Sequence, residues 1–145
     1  MKKTEIKDSQ FGQLNYEDGW GWCAKNVEGL SNITDLCIQM ELTENNGISE
    51  QARKIFNTLC EREHEFKVLA ARELLDSVNN IINDIDEENE ELEVLDIEDF
   101  VNLLSLCWVY IDENGDSELQ YITGDFPLVR IFISQDLNFK EAFLD

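Results

Sequence analysis

The apolar positions of this chain change their spacing twice, and the changes divide it into three stretches. From about residue 10 to 46 they alternate or cluster in short runs. The clearest run is "NITDLCIQMEL", with Leu36, Ile38, Met40 and Leu42 on one face and Asp35, Gln39 and Glu41 on the other. That pattern predicts a strand with one buried face. Upstream, residues 11–16 and 20–27 flank "EDG", a hairpin whose turn needs Asp18 or Gly19 at positive φ. Gly21, inside the second arm, marks a bulge or a close backbone approach. "EGLSN" makes a further turn.

From Ile48 the spacing becomes three and four. Ala52, Ile55, Phe56, Leu59, Phe66, Leu69, Ala70, Leu74, Val78 and Ile81 form one stripe, uninterrupted by Gly or Pro after Gly47. The expectation is a helix from about Ile48 to about Val78, roughly 45 Å long at the usual rise. That exceeds the common globular length, so a break near "EREHE" is the alternative. "NDIDEENEELEVLDIEDF" is the acidic peak and reads as a solvated connection. Its end, "DIEDFVNLL", predicts a short helix capped by Asp96, with Glu98 and Asp99 where the helix dipole favours negative charge.

The last third returns to strands. "SLCWVYID" is apolar on both faces, Leu106, Trp108 and Tyr110 on one and Cys107, Val109 and Ile111 on the other. An interior strand covered on both sides has this composition. Asn114-Gly115 is a strong hairpin signal, and "SELQYIT" and "PLVRIFIS" follow as strands, with Pro127, the only proline, at a strand start. The tail "DLNFKEAFLD" reads as loop or a short helical cap. The order β-β-β, long α, short α, β-β-β argues an α+β fold. Its antiparallel sheet comes from N-terminal and C-terminal β-meanders, with a long central helix and a short second helix packed on one face. Residues 1–145 make a single domain, in which residues 1–9 are expected to be a disordered tail.

Composition sharpens this picture mainly through charge. Asp and Glu total 32 against 11 Lys and Arg, a formal net charge of -21. Such a field repels nucleic-acid phosphates and anionic membranes and speeds encounter with basic proteins. No apolar run reaches membrane-spanning length, and "MKKTEIKDSQ" lacks the apolar region of a signal peptide. Cys23, Cys37, Cys60 and Cys107 lie far apart without a C-x-x-C pair, so the expectation is four buried thiols in a reducing cytoplasm.

Enzyme signatures are sparse. His64 is the only histidine and sits mid-helix beside Glu63 and Glu65; "HEFKV" lacks the second histidine of a zinc-protease helix. No phosphate-binding glycine motif occurs. "DENGDSELQYIT" places Asp112, Asn114 and Asp116 like a calcium loop, but Ser117 and Thr123 stand where that loop needs Gly and Glu. The expectation is therefore no catalytic residue, no metal and no cofactor. Candidate partner-binding residues are Asp86, Glu87, Glu88, Glu90, Glu91 and Glu93 for charge, and Tyr16, Trp20 and Trp22 as aromatic anchors. The three aromatics read first as hairpin core and second as a site.

The chain resembles an uncharacterised bacterial family, domain of unknown function 2262. The resemblance rests on three segments in order. The first is "FGQLNYEDGWGWCAKNVEG", a Phe-Gly-x-Leu opening, an aromatic-glycine turn and a Glu-Gly step. The second is "AARELLDSVNN". The third is "DIEDFVNLLSLCWVYIDENGDSELQYITGDFPLVRIFIS", a helix start, strand, hairpin and final strand. Together they span most of residues 11–134. The chain departs from the family at "GDFPLVR", where Leu128-Val129 replaces an expected Gly-His step, so an activity depending on that step is not implied here. The resemblance carries no reaction. By analogy it points to small acidic immunity proteins encoded beside toxins.

Three functions are thus carried forward. The first is a cytoplasmic, non-enzymatic inhibitor of a basic bacterial toxin, steered by charge. The second is a nucleic-acid mimic of the anti-restriction or anti-CRISPR type, acting on a nucleic-acid-handling enzyme. The third is a small-ligand or enzyme domain of unknown reaction. The sequence leaves the oligomeric state open.

Overall fold

The structure is a computed structural model that describes residues 4–27, 34–45, 47–86, 95–124 and 127–145. Among these residues eight strands form one sheet in chain order: β1 (Glu5–Asp8), β2 (Gly12–Glu17), β3 (Gly21–Val27), β4 (Thr34–Ile38), β5 (Ser105–Ile111), β6 (Ser117–Ile122), β7 (Val129–Ile133) and β8 (Phe139–Leu144). Two helices, α1 (Glu50–Asp86) and α2 (Ile97–Leu103), lie between β4 and β5. Neighbouring strands are antiparallel except β4 and β5, which pair in parallel with Leu36 opposite Val109. A parallel pair needs a long crossover, and the two helices supply it. The α+β arrangement of two meanders around a helical middle is therefore the observed one, with a parallel seam that the strand patterns do not reveal.

Two ends differ from expectation. Residues 1–9 are not a tail throughout, because Glu5–Asp8 pairs with β2, setting Ile6 opposite Leu14. "DLNFKEAFLD" is neither loop nor helical cap; it contains β8, reached by a turn in which Leu137 adopts φ 63. Both strands bury a single well-covered residue, Ile6 and Ala142, so their alternation is faint.

Helix α1 runs unbroken for 37 residues, about 55 Å, past the expected end and through "EREHE". The stripe continues there because Glu63 occupies a buried position between Leu59 and Phe66 and has Lys67 Nζ at 3.7 Å, one turn on. Ser49 starts the helix by accepting a hydrogen bond from the Ala52 amide at 3.1 Å. Asp96 caps α2 as expected, exchanging side-chain and backbone bonds with Asp99 in a capping box.

The core lies between the helices and one face of the sheet. Leu14, Leu36, Val109, Leu119, Tyr121, Val129 and Ile131 come from the strands, and Ala52, Phe56, Leu59, Phe66, Ala70 and Val78 from α1; all are buried. Phe11 meets Phe56 edge to face with centroids 5.0 Å apart. Arginines of α1 secure two strand turns. Arg53 binds Asp8 in the β1–β2 turn, and Arg62 donates to the Leu137 carbonyl of the β7–β8 turn at 2.6 Å. The Arg53 bond is the largest influence holding the Asp8 carboxyl below its ordinary value; burial opposes it, and the Phe11 and Gln10 amides reinforce it. Asn79 exchanges two hydrogen bonds with the Leu95 backbone and so joins the late part of α1 to the start of α2.

Glycines carry two of the joints. Gly115 takes φ +92 in the β5–β6 turn, where Asp112 Oδ1 accepts from the amides of Asn114 and Asp116, as the hairpin reading requires. Gly21 has φ +82, and a Cβ there would stand 2.4 Å from the Ile38 carbonyl oxygen. The close approach expected at Gly21 is thus a contact between β3 and the end of β4.

Candidate functional site

The helices cover one face of the sheet, and the other carries an organised set of side chains. Strand register puts Asn15, Cys23, Cys37, Tyr110, Glu118, Phe132 and Glu141 in one row across that open face. A second row holds Asp35, Trp108, Gln120, Arg130 and Phe143. Among them only Cys37 and Glu118 are buried.

Strand β5 delivers Trp108 and Tyr110 because its pairing with β6 shifts between Leu106 and Trp108. The irregularity adds one residue and changes which side of the pleat follows. Leu106 therefore joins Val109 and Ile111 in the core, instead of sharing a face with Trp108 and Tyr110. The strand is apolar on both sides, but only one side is covered by helices. This corrects the expectation of a strand buried on both faces.

Trp108 and Tyr110 stack nearly parallel, with an interplanar angle of 13° and centroids 5.4 Å apart. Trp20, from the β2–β3 turn, stands edge-on to both at 5.3 and 5.6 Å while remaining 49% exposed. Polar groups hold the stack. Trp108 Nε1–H points at Cys37 Sγ at 3.4 Å, and the Tyr110 hydroxyl donates to Gln39 Oε1. Burial, then the charges of Asp112, Glu113 and Glu118, raise the Tyr110 hydroxyl above its ordinary value and keep it a neutral donor.

Next to the stack lies a cross-strand disulfide between Cys23 and Cys37, whose Cα atoms are 4.1 Å apart. So short a separation marks a non-hydrogen-bonded antiparallel pair. The expected four free thiols are thus two: Cys60 and Cys107. Burial leads in raising both, Cys60 to about 11 with help from Glu63 and Glu61, and Cys107 with help from Asp35. An activated nucleophile needs the opposite shift. Beyond Cys23 a polar hollow of about 510 Å³ opens over β2 and β3, lined by Gln13, Asn15, Glu17 and Lys25 among others.

On the far side of the stack, Glu118 receives the Arg130 guanidinium through Nη2 at 2.8 Å and Nε at 3.1 Å. The same guanidinium lies 5.1 Å from the Phe132 ring centroid.

The anticipated anchors divide between the two faces. Trp20 joins the open-face cluster. Trp22 is 8% exposed and belongs to the core, on the face opposite Trp20's cluster. Tyr16 shares the side of Leu14 and Trp22, with its ring 5.4 Å from Trp22, and is exposed at the margin of that face. Asp86 ends α1, whereas Glu87, Glu88, Glu90, Glu91 and Glu93 lie outside the described residues. Trp108, Tyr110 and Gln39 were not anticipated as site residues; the signal was the aromatic, non-aliphatic character of one side of "SLCWVYI". His64 is exposed on α1 and lines a groove of about 370 Å³ against α2 with Val68, Ile97, Glu98, Val101 and Asn102. Among the described residues no group of three His, Cys, Asp or Glu is placed to hold a metal ion, and no helix is long and apolar enough to cross a membrane.

Residues 8–138 match the family described as "Uncharacterized protein conserved in bacteria (DUF2262)", and the chain belongs to that family. No curated protein and no solved structure matches the chain.

Proposed function

We propose that this DUF2262 protein is a non-enzymatic binding protein that docks a basic protein on the open face of its sheet, as an immunity-type inhibitor of a bacterial toxin. One observation carries the reading: a half-exposed aromatic cluster, Trp20 with Trp108 and Tyr110, on an uncovered sheet face of a chain with net charge -21. Binding energy concentrates in aromatic anchors, while surplus charge steers encounter and selects partners of opposite sign. The two free thiols are pushed away from the thiolate form, including Cys60, which lies one turn before His64 on α1, and this supports binding over catalysis. A nucleic-acid mimic would present carboxylates in phosphate-like rows. The described open face instead pairs Glu118 with Arg130 and sets Glu17 and Lys25 around one hollow, which favours a protein partner's mixed surface.

The reading includes a cytoplasmic setting, in which the Cys23–Cys37 bridge is one that forms and opens with redox state. Co-expression with a candidate basic toxic domain, sought among the genes neighbouring its own, tests the function. Restored growth, a stable complex, and an association rate that falls steeply between low and physiological salt are expected, because exposed charges are screened within about 8–10 Å there. Continued toxicity, or association indifferent to salt, would remove it.

A further inference from the structure

We propose that the Trp20–Trp108–Tyr110 cluster is a receptor for an arginine side chain, presented by the basic partner on the open face. The proposal rests on the docking reading above and adds the chemistry of the contact. A guanidinium is planar, weakly hydrated and always charged, so it stacks on aromatic rings and binds carboxylates in a way an ammonium does not.

The molecule uses this combination on its own arginines. Arg130 lies over Phe132 and binds Glu118; Arg53 lies 5.6 Å from the Phe11 centroid and binds Asp8; Arg62 lies 4.8 Å from the Phe66 centroid and binds Glu65. Each pairs a ring with a carboxylate at hydrogen-bond distance, whereas Lys67, the lysine over a ring at Tyr121, stands 3.7 Å from its carboxylate, Glu63. The cluster offers the same pair of elements more generously. Its three rings are partly exposed, Asp35 is the register partner of Trp108, and Asp112, Glu113 and Glu118 act on Tyr110. Among the described residues, the cations that lie over rings, Arg53, Arg62, Lys67 and Arg130, lie over rings outside this cluster. Tyr110 and Trp108 are held by Gln39, just past the end of β4, and by Cys37 on β4, so the stacked rings are fixed before a ligand arrives and their ordering is not charged against binding.

The test uses the full chain and end-blocked tripeptides Gly-Arg-Gly, Gly-Lys-Gly and Gly-citrulline-Gly, followed by the indole N–H resonances of the three tryptophans. Trp20 and Trp108 should shift and saturate with the arginine peptide, at least about threefold more tightly than with lysine. They should be nearly silent with neutral citrulline. Trp22, in the core, should stay in place and report an intact fold. Trp108→Leu should abolish the Trp20 response while leaving the Trp22 resonance unmoved; if that variant unfolds, Trp20→Ala with Trp108 as reporter gives the same answer. Equal shifts for all three peptides, shifts spread over the whole acidic surface, or concentration-dependent indole shifts without peptide (a second copy on this face) would each overturn the proposal. If Trp20→Ala and Trp108→Leu keep full affinity for the basic partner, the arginine receptor fails and the docking function stands. If the arginine peptide binds but no basic partner does, the docking function fails and the receptor stands.

Discussion

The two faces of the sheet are built from alternate residues of the same strands, yet they obey different rules. On the covered face Leu36, Val109, Leu119 and Ile131 reach full burial under α1, and shape complementarity decides what fits. On the open face Trp108, Tyr110, Glu118 and Arg130 are held by stacking and directed hydrogen bonds while keeping contact with water. Apolar content alone does not separate the two, since β5 is apolar on both sides. Aliphatic against aromatic composition does, because aliphatic side chains gain little at a wet surface whereas a ring with a polar tip suits one.

That contrast can be broken most severely from the covered side. Phe56→Ala should cost about 3–5 kcal/mol in denaturant unfolding, since it empties the space against Phe11 under the helix. A loss near 1 kcal/mol would mean the helix does not seat as described. Gly21→Ala comes next, at about 2–3 kcal/mol, because both the positive φ and the Ile38 backbone oppose a side chain there. It should also disturb the open face, since Trp20 is the adjacent residue, and near-ultraviolet circular dichroism would register that.

The strap from α1 to the β1–β2 turn gives a pH signature. Asp8 has a lowered folded-state pKa, so its contribution is fully present above the unfolded value near 4 and is lost as the pH falls through the folded value. Asp8→Asn should remove about 1–2 kcal/mol at neutral pH and flatten the acid limb of the stability curve below about pH 4. An unchanged acid limb would show that the pair contributes nothing.

A smaller effect of opposite sign is expected at Tyr121, whose fully buried hydroxyl has no hydrogen-bond partner among the described residues. Tyr121→Phe should raise stability by about 1 kcal/mol, read from the unfolding midpoint. Smallest of all is Trp20→Ala on the open face, at about 1 kcal/mol or less in stability. Its large effect should appear only in binding, and a variant that lost stability and affinity together would erase the distinction between the faces.

What was legible in the chain followed from local rules with one dominant cause. The α1 stripe, the alternation of β4, the Asn114-Gly115 turn, the Asp96 cap and the tight approach at Gly21 all survive. What escaped depended on partners distant in sequence. The β5 irregularity is set by pairing with β6, the parallel seam by the crossover, and the Cys23–Cys37 contact by β3 lying against β4. The alternative of a break at "EREHE" falls because Glu63 is buried with Lys67 beside it, and the helix outlasts its expected end because no Gly or Pro stops it before Asp86. The site was half legible: Trp20 stood out as an aromatic of the hairpin arm, while Trp108 and Tyr110 were hidden in a strand read as all core.

The parallel seam also bears on the order of assembly. Each meander can close on neighbouring hairpins, but β4 meets β5 only after the chain between them has been gathered, an entropically slow event. The cluster draws Trp20 from the first meander and its two stacked rings from the second. A half-finished chain, or one emerging from the ribosome, therefore lacks the assembled cluster. The recognition proposed above would be confined to the completed molecule.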